Sequence, residues 1–196
     1  MTRLPAPLCI CAAVLGLAVC GAAEAAAPGE PLWGSIGLAA YAETPADLSH
    51  FADAGISMDA ALAAVKQQHA GRLVEIGFSS GTDAPSFAGL LETASGLQPI
   101  LIDPATGAIR DADRPRIARA DLDAVGQRDL AALDTAHVSL EEAISRIEQI
   151  SRNRVISAGV EQLAGIPQYY LQTASSGRLD AWIVDPATGR VMHPEP

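Results

Sequence analysis

"DLSHFADAGISMDAALAAVKQQHAGRLVEIGF", Asp47 to Phe78, aligns without a gap to "DLAALDTAHVSLEEAISRIEQISRNRVISAGV", Asp129 to Val160, when the chain is slid against itself by 82 residues. The same offset carries Pro85 onto Pro167, Leu97 onto Leu179, and "DPATG" at Asp103 to Gly107 onto "DPATG" at Asp185 to Gly189. Between Asp47 and Arg110, 15 of 64 aligned pairs are identical. This is a duplication, so the repeated unit decides the fold.

Each copy contains a helix signal. Ser57 precedes "MDAALAAVKQQH" and Ser139 precedes "LEEAISRIEQIS", each offering a hydroxyl to the first turn's free amides; Glu142 adds a capping box that Ala60 cannot supply. Met58, Ala61, Leu62 and Val65 recur at helical spacing, as do Leu140, Ala143, Ile144, Ile147 and Ile150, so each helix has one face to bury. The period then drops to two, with Val74, Ile76 and Phe78 alternating in one copy and Ile156, Ala158 and Val160 in the other. Two further apolar runs follow in each copy, "FAGLLET" and "PILID", then "YYLQT" and "AWIVD", separated by Ser and Gly. The expected fold is α+β: two tandem repeats, each one helix packed on a small antiparallel sheet of three or four strands. A sheet covered on one face by a helix leaves its other face over, and a unit of about 64 residues is marginal alone.

The DPATG pentapeptides read as turns rather than ligand loops. Asp103 and Asp185 can accept from amides just ahead, Pro104 and Pro186 preset φ near about −65°, and Gly107 and Gly189 can take a positive φ. A phosphate loop would want more glycines and a helix immediately afterwards, whereas "AIR" and "RVM" continue extended.

The first residues read as an export signal. "LCICAAVLGLAVC" is too short to span a bilayer comfortably, and Ala23-Glu24-Ala25 supplies an A-x-A pattern, placing cleavage near Ala25 or Ala27. The rival reading is "LAVC", which approximates a lipoprotein signal with acylation at Cys20, although Val19 is bulkier than the small residue usual there. Cys9, Cys11 and Cys20 all lie in or beside the signal, so a chain cut at Ala25 holds together without disulfides. The net charge of −10 argues against nucleic acid and against anionic lipid, both of which reward clustered Lys and Arg. The chain divides into a signal at 1–25, an N-terminal arm at 26–46 anchored by Trp33 and Tyr41, a first repeat at 47–112, a linker with helical character at 113–128, and a second repeat at 129–196.

Reactive constellations are weak. Gly77-Phe78-Ser79-Ser80-Gly81 satisfies G-x-S-x-G, but that pattern needs a strand turning sharply into a helix, and "TDAPSFAGLLET" reads as a loop and a strand. The four histidines do not cluster and no thiols remain for zinc. Asp111 and Asp113 hint at a calcium loop that Arg114 and Pro115 interrupt, and Glu141 and Glu142 suit a helix N-terminus. No catalytic, metal or cofactor site is expected. The aromatics are more informative: Tyr169, Tyr170 and Trp182 gather in two strands, at positions matched by Phe87, Ala88 and Ile100 in the first copy. Adjacent Tyr residues on a strand point to opposite faces, so one belongs to the core and the other to the outer face. Tyr169, Tyr170, Trp182 and Phe87 are the candidate partner-binding residues.

The helix with "S-x-x-x-A-(I/L)", the strand at "RLVEIGF" or "RVISAGV", and a final apolar strand into "(I/V)DPATG-x-(I/V)" together resemble the PepSY domain, over Ile56 to Arg110 and Val138 to Met192. The resemblance implies a helix against an antiparallel sheet and an extracytoplasmic, non-enzymatic role, since PepSY units occur in propeptides that restrain secreted metallopeptidases and in exported or membrane-attached regulators. No H-E-x-x-H follows the repeats, so any peptidase would be a separate partner. The expected function is thus an exported module, periplasmic or extracellular, that binds a protein partner such as a peptidase or a membrane-protein ectodomain. The alternatives are a small-ligand carrier with a cleft between the units lined by Trp182 or the tyrosines and, weakest, a serine hydrolase using Ser79.

Overall fold

A computed structural model of the chain describes residues 45–80, 84–112 and 115–193. The expected signal with Cys20 and Ala25, the anchors Trp33 and Tyr41, Gly81 of the G-x-S-x-G pattern, and Asp113 and Arg114 lie outside the described residues.

The elements run α1 (Pro45–Ala52), α2 (Met58–Gln68), β1 (Arg72–Ser79), β2 (Ser86–Thr93), β3 (Gly96–Ile102) and β4 (Ile109–Asp111), then a 3-10 turn (Arg119–Asp121). They continue α3 (Ala124–Asp134), α4 (Leu140–Ser151), β5 (Arg154–Leu163), β6 (Ile166–Ser175), β7 (Arg178–Val184) and β8 (Val191–Met192). Helix α3 runs across residues 128 and 129, where the sequence reading parts linker from second repeat.

The two small sheets expected from the repeat do not exist as separate objects. All eight strands form one antiparallel sheet in the order β4-β3-β2-β1-β5-β6-β7-β8, so the reading of two helix-on-small-sheet repeats is overturned. The join is the pairing of β1 with β5, where Ile76 lies opposite Ala158 and Gly77 opposite Ser157. The physical reason is the exposed edge. A four-stranded unit would leave β1 with a row of unpaired N–H and C=O groups, and β1 is apolar enough to be buried on both sides. Helix α4 packs against β1 as well as β5 and β6, and α2 also reaches β5, so each helix serves strands beyond its own copy.

The caps form as their chemistry dictates. The Ser57 hydroxyl accepts from the Ala60 amide at 3.2 Å. At α4 the Ser139 hydroxyl accepts from Glu142 N at 3.2 Å while the Glu142 carboxylate accepts from Ser139 N at 2.8 Å, which holds that carboxyl below its usual range. Asp123 caps α3 by accepting from Val125 N and Gly126 N.

Strand alternation assigns the faces. Phe78 lies opposite Phe87, and both rings meet Phe51 of α1 edge-on, at centroid distances of 5.3 and 6.2 Å. Gln162 reaches Asp129 of α3, and the Tyr169 hydroxyl donates to Val138 O, just before α4, at 2.8 Å. These residues share one face with Ile76, Ala158 and Val160. Helices α1, α2 and α4 therefore lie on this side of the sheet, where Met58, Leu62, Ile144 and Ile147 complete the core, while Asp134 at the end of α3 accepts from Arg72, which pairs with Glu92 on the opposite side.

Both DPATG segments are turns. Asp103 accepts from Ala105 N and Thr106 N at 2.8 Å each, Gly107 N donates to Asp103 O at 2.8 Å, and Gly107 has φ +74°. At Asp185 the carboxylate accepts from Ala187 N and from the Thr188 hydroxyl, and Gly189 has φ +70°. The turns also anchor helices: Pro104 O accepts from Ile56 N, and Pro186 O from His137 N and Val138 N, each at 3.0 Å, just upstream of α2 and α4. A Cβ on Gly189 would sit 2.6 Å from Arg146 Nη1, whose guanidinium donates to Gly189 O at 2.5 Å. A Cβ on Gly107 meets Ile56 Cδ1 at an ordinary 3.6 Å. Positive φ costs a non-glycine residue about 1–2 kcal/mol, and more if β-branched. Gly189→Val should therefore lower the melting temperature further than Gly107→Val, because it also displaces Arg146; unchanged melting in either variant would contradict the turn geometry.

Candidate functional site

With α1, α2 and α4 on one side, the other side of the sheet is the surface whose chemistry remains to be explained. Alternation places Glu75, Gly77, Ala88, Leu90, Pro99 and Leu101 there from the first copy, and Ser157, Gly159, Glu161, Leu163, Ile166, Gln168, Tyr170, Gln172, Ala181 and Ile183 from the second. Gly159 exists for close approach: a Cβ there would lie 2.9 Å from the Glu75 side chain, so the glycine lets that carboxylate's stem cross the seam. Beside it the Ser157 hydroxyl donates to Gln172 Oε1 at 2.9 Å.

Across β5, β6 and β7 this face carries apolar residues at two levels, with the polar pair Glu161 and Gln168 between them. Leu163 and Ile166 stand opposite each other at the tip of the β5–β6 hairpin and are 50% and 61% exposed. The turn between them, Ala164 at φ +51° and Gly165 at φ +79°, has the double positive φ of a two-residue hairpin turn. Tyr170 and Ile183, paired across β6 and β7, lie beyond Glu161 and Gln168 and are half-buried. Burial pushes the Glu161 carboxyl up to about 6, with Asp129 adding a like charge, and burial followed by Glu161 raises the Tyr170 phenol.

The four candidate partner-binding aromatics do not form one surface. Tyr169 and Phe87, 1% and 0% exposed, are sealed in the helix-side core and are not available to a partner. Burial pushes the Tyr169 phenol to about 12. Trp182 lies opposite Leu171 on the helix side, donates Nε1–H to Thr173 Oγ1 at 3.1 Å, and meets His193 edge-on at 4.4 Å between centroids. Tyr170 alone of the four stands on the face opposite that core. Leu163 and Ile166 were not singled out by sequence reasoning; the signal was an apolar residue on each side of Ala-Gly.

Ser79 closes β1 opposite Ser86 of the antiparallel β2, so the strand leads into a second strand rather than a helix. That is not the geometry of a nucleophile elbow. The ligand cleft expected between the units, lined by Trp182 or the tyrosines, is replaced at the junction by continuous sheet. The helix side of the junction has a groove of about 440 Å³ between α2 and α4, lined by Asp59, Lys66, Glu141, Ser145 and Arg146 among others. Its charges are largely engaged: the Ser145 hydroxyl donates to Asp59 at 3.1 Å, Lys66 lies 3.9 Å from Glu141, and Arg146 is held by Gly189 O. Asp111, from the suspected calcium loop, accepts from Gln98 Nε2 at 2.5 Å. Among the described residues no three His, Cys, Asp or Glu side chains converge as a metal site, and no helix is long and apolar enough to cross a membrane.

No protein-family profile matches the chain, and no curated protein matches it. Among solved structures it is similar to the crystal structure of a "putative lipoprotein" from Clostridium difficile 630, at 12% identity, covering 70% of this chain and 91% of that chain with a TM-score of 0.39. At that score the likeness carries no argument about this chain.

Proposed function

We propose that the protein is an exported, non-enzymatic module that binds a protein partner through the face of β5, β6 and β7 that bears Leu163, Ile166 and Tyr170. The observation that carries this reading is the pair Leu163 and Ile166, large apolar side chains exposed together at a hairpin tip, with Tyr170 and Ile183 on the same face beyond the polar pair Glu161 and Gln168. Scattered apolar residues are ordinary on a surface, but an exposed apolar pair near a tyrosine with polar groups beside it is the composition of an interface. The PepSY resemblance of the two copies supports a regulatory role toward a peptidase or a membrane-protein ectodomain. The leader-like first 25 residues support action outside the cytoplasm, periplasmic or extracellular, with a lipid anchor on Cys20 as the variant form. Tagged protein crosslinked gently in its native envelope should retain a partner that is lost on Ile166→Asp, while the variant melts as the parent does. Equal recovery with both proteins, or turnover of a small substrate by the purified monomer, would refute the proposal.

A further inference from the structure

The β5–β6 hairpin outruns the strands beside it. β1 pairs with β5 only at Ser157 and Ala158, and β7 pairs with β6 no further than Tyr169, whereas β5 and β6 stay paired out to Leu163 and Ile166. Residues 161–168 are therefore a two-stranded ribbon, and such a ribbon is marginal by itself. At its root Glu161 stands directly opposite Gln168, which sets the two side chains about 5 Å apart at Cβ. Gln168 is 9% exposed, and its Oε1 is buried with no hydrogen-bond partner. Glu161 is half-buried, and among the described residues no hydrogen bond reaches its carboxyl; the charge acting on it is the like charge of Asp129. Two acceptors thus stand across the ladder from each other without a donor, an arrangement whose cost folded proteins ordinarily avoid.

We infer that Glu161 and Gln168 form a proton-operated latch of the hairpin: the neutral carboxyl donates its O–H to Gln168 Oε1 and holds the ribbon closed, and loss of that proton loosens residues 161–168 with Leu163 and Ile166 at their tip. A carboxyl is a donor only when protonated, and its surroundings disfavour the charged form. β6 brings Gln168 and the Tyr170 phenol. α3 brings Asp129, which accepts from the neighbouring Gln162. β1 brings Glu75, whose side chain lies against Gly159, while the Arg72 guanidinium is engaged by Glu92 and Asp134. Burial, with Asp129 behind it, pushes the Glu161 carboxyl up to about 6. A loosened ribbon returns it to the ordinary value of about 4.3. The closed ribbon therefore binds the proton more tightly than the open one, so the latch is strongest below the ordinary value, weakens as pH rises from there, and is spent above about pH 6. The latch belongs to the hairpin and works whether or not a partner binds there; a partner that does bind meets a firmer tip in mild acid than at neutral pH.

Carbon-13 carboxyl shifts and amide exchange corrected for its intrinsic pH dependence test this on the protein alone. The Glu161 carboxyl should titrate near pH 6, and protection of residues 161–168 should fall several-fold between about pH 5 and about pH 7.5, while protection of residues 86–91 in β2 does not. Glu161→Gln, which cannot ionise and still offers an N–H, should remove the change. Gln168→Met, which keeps the length of the side chain without its carbonyl, should lower protection in mild acid to the parent's level at neutral pH. A Glu161 midpoint near the ordinary value would mean that Gln168 turns its N–H toward an ionised carboxylate. That result, protection that does not change with pH, or a pH dependence that survives either substitution would each overturn the latch. No partner enters these measurements, so their failure and a failure of the crosslinking experiment are distinguishable.

Discussion

Residues 26–112 expressed alone should show no cooperative thermal transition, and mixing them with residues 113–196 should restore one. Removing the second half strips β1 of its β5 partner and of α4, which packs across it. It also removes Arg154, whose guanidinium donates to Phe51 O at 3.1 Å and Ile56 O at 2.8 Å and stacks over the Phe51 ring at 4.4 Å. Those contacts hold the α1–α2 corner of the first half from outside it. Fewer than about 90 residues bury too little surface to offset their conformational entropy when a central strand becomes an edge. Circular dichroism on the fragment, its complement and the mixture tests this. A fragment melting cooperatively near the temperature of the intact chain would show that the sheet is two sheets in contact.

The largest single-residue effect is expected at Phe78. Its ring is fully buried and stands edge-on to Phe51 and Phe87 at 5.3 and 5.5 Å, beneath α1. Phe78→Ala removes the transfer free energy of a buried ring, opens a cavity and breaks two aromatic contacts, costing about 3–5 kcal/mol. That is a large share of the roughly 5–15 kcal/mol by which domains are stable. The equivalent residue in the second copy is Val160, 3% exposed, and Val160→Ala should cost distinctly less because fewer atoms leave. Urea unfolding of both variants measures the difference. A Phe78→Ala cost below about 1 kcal/mol, the scale of an average substitution, would mean that the three rings do not anchor α1.

Much of the local structure was legible. Ser57, Ser139 and Glu142 named the helix starts because capping is a transaction within four residues, and DPATG named its turns because each hydrogen bond in it is equally local. Alternation separated Tyr169 from Tyr170, one entering the core and the other the opposite face. Helix α1 was not legible: "PADLSHFA" is only eight residues long, and it is held by Phe51 in a ring cluster and by Asp47 at Ser80. Trp182 was read as a partner for the tyrosines because the strands were adjacent, but register sets it beside Leu171 and hence on the other face from Tyr170.

The duplication, the helices after Ser57 and Ser139, the strands and their inward positions, and the closing turns are written in the amino-acid order, all products of short-range sterics and hydrogen bonding. That the two halves share one sheet emerges first in the folded chain. Ile76 and Ala158 meet through backbone groups that every residue carries, across 82 positions of chain, so no side-chain pattern marks that pairing in advance. What favours it is the cost of leaving the edge of β1 unpaired, and that cost appears only when both halves are folded side by side.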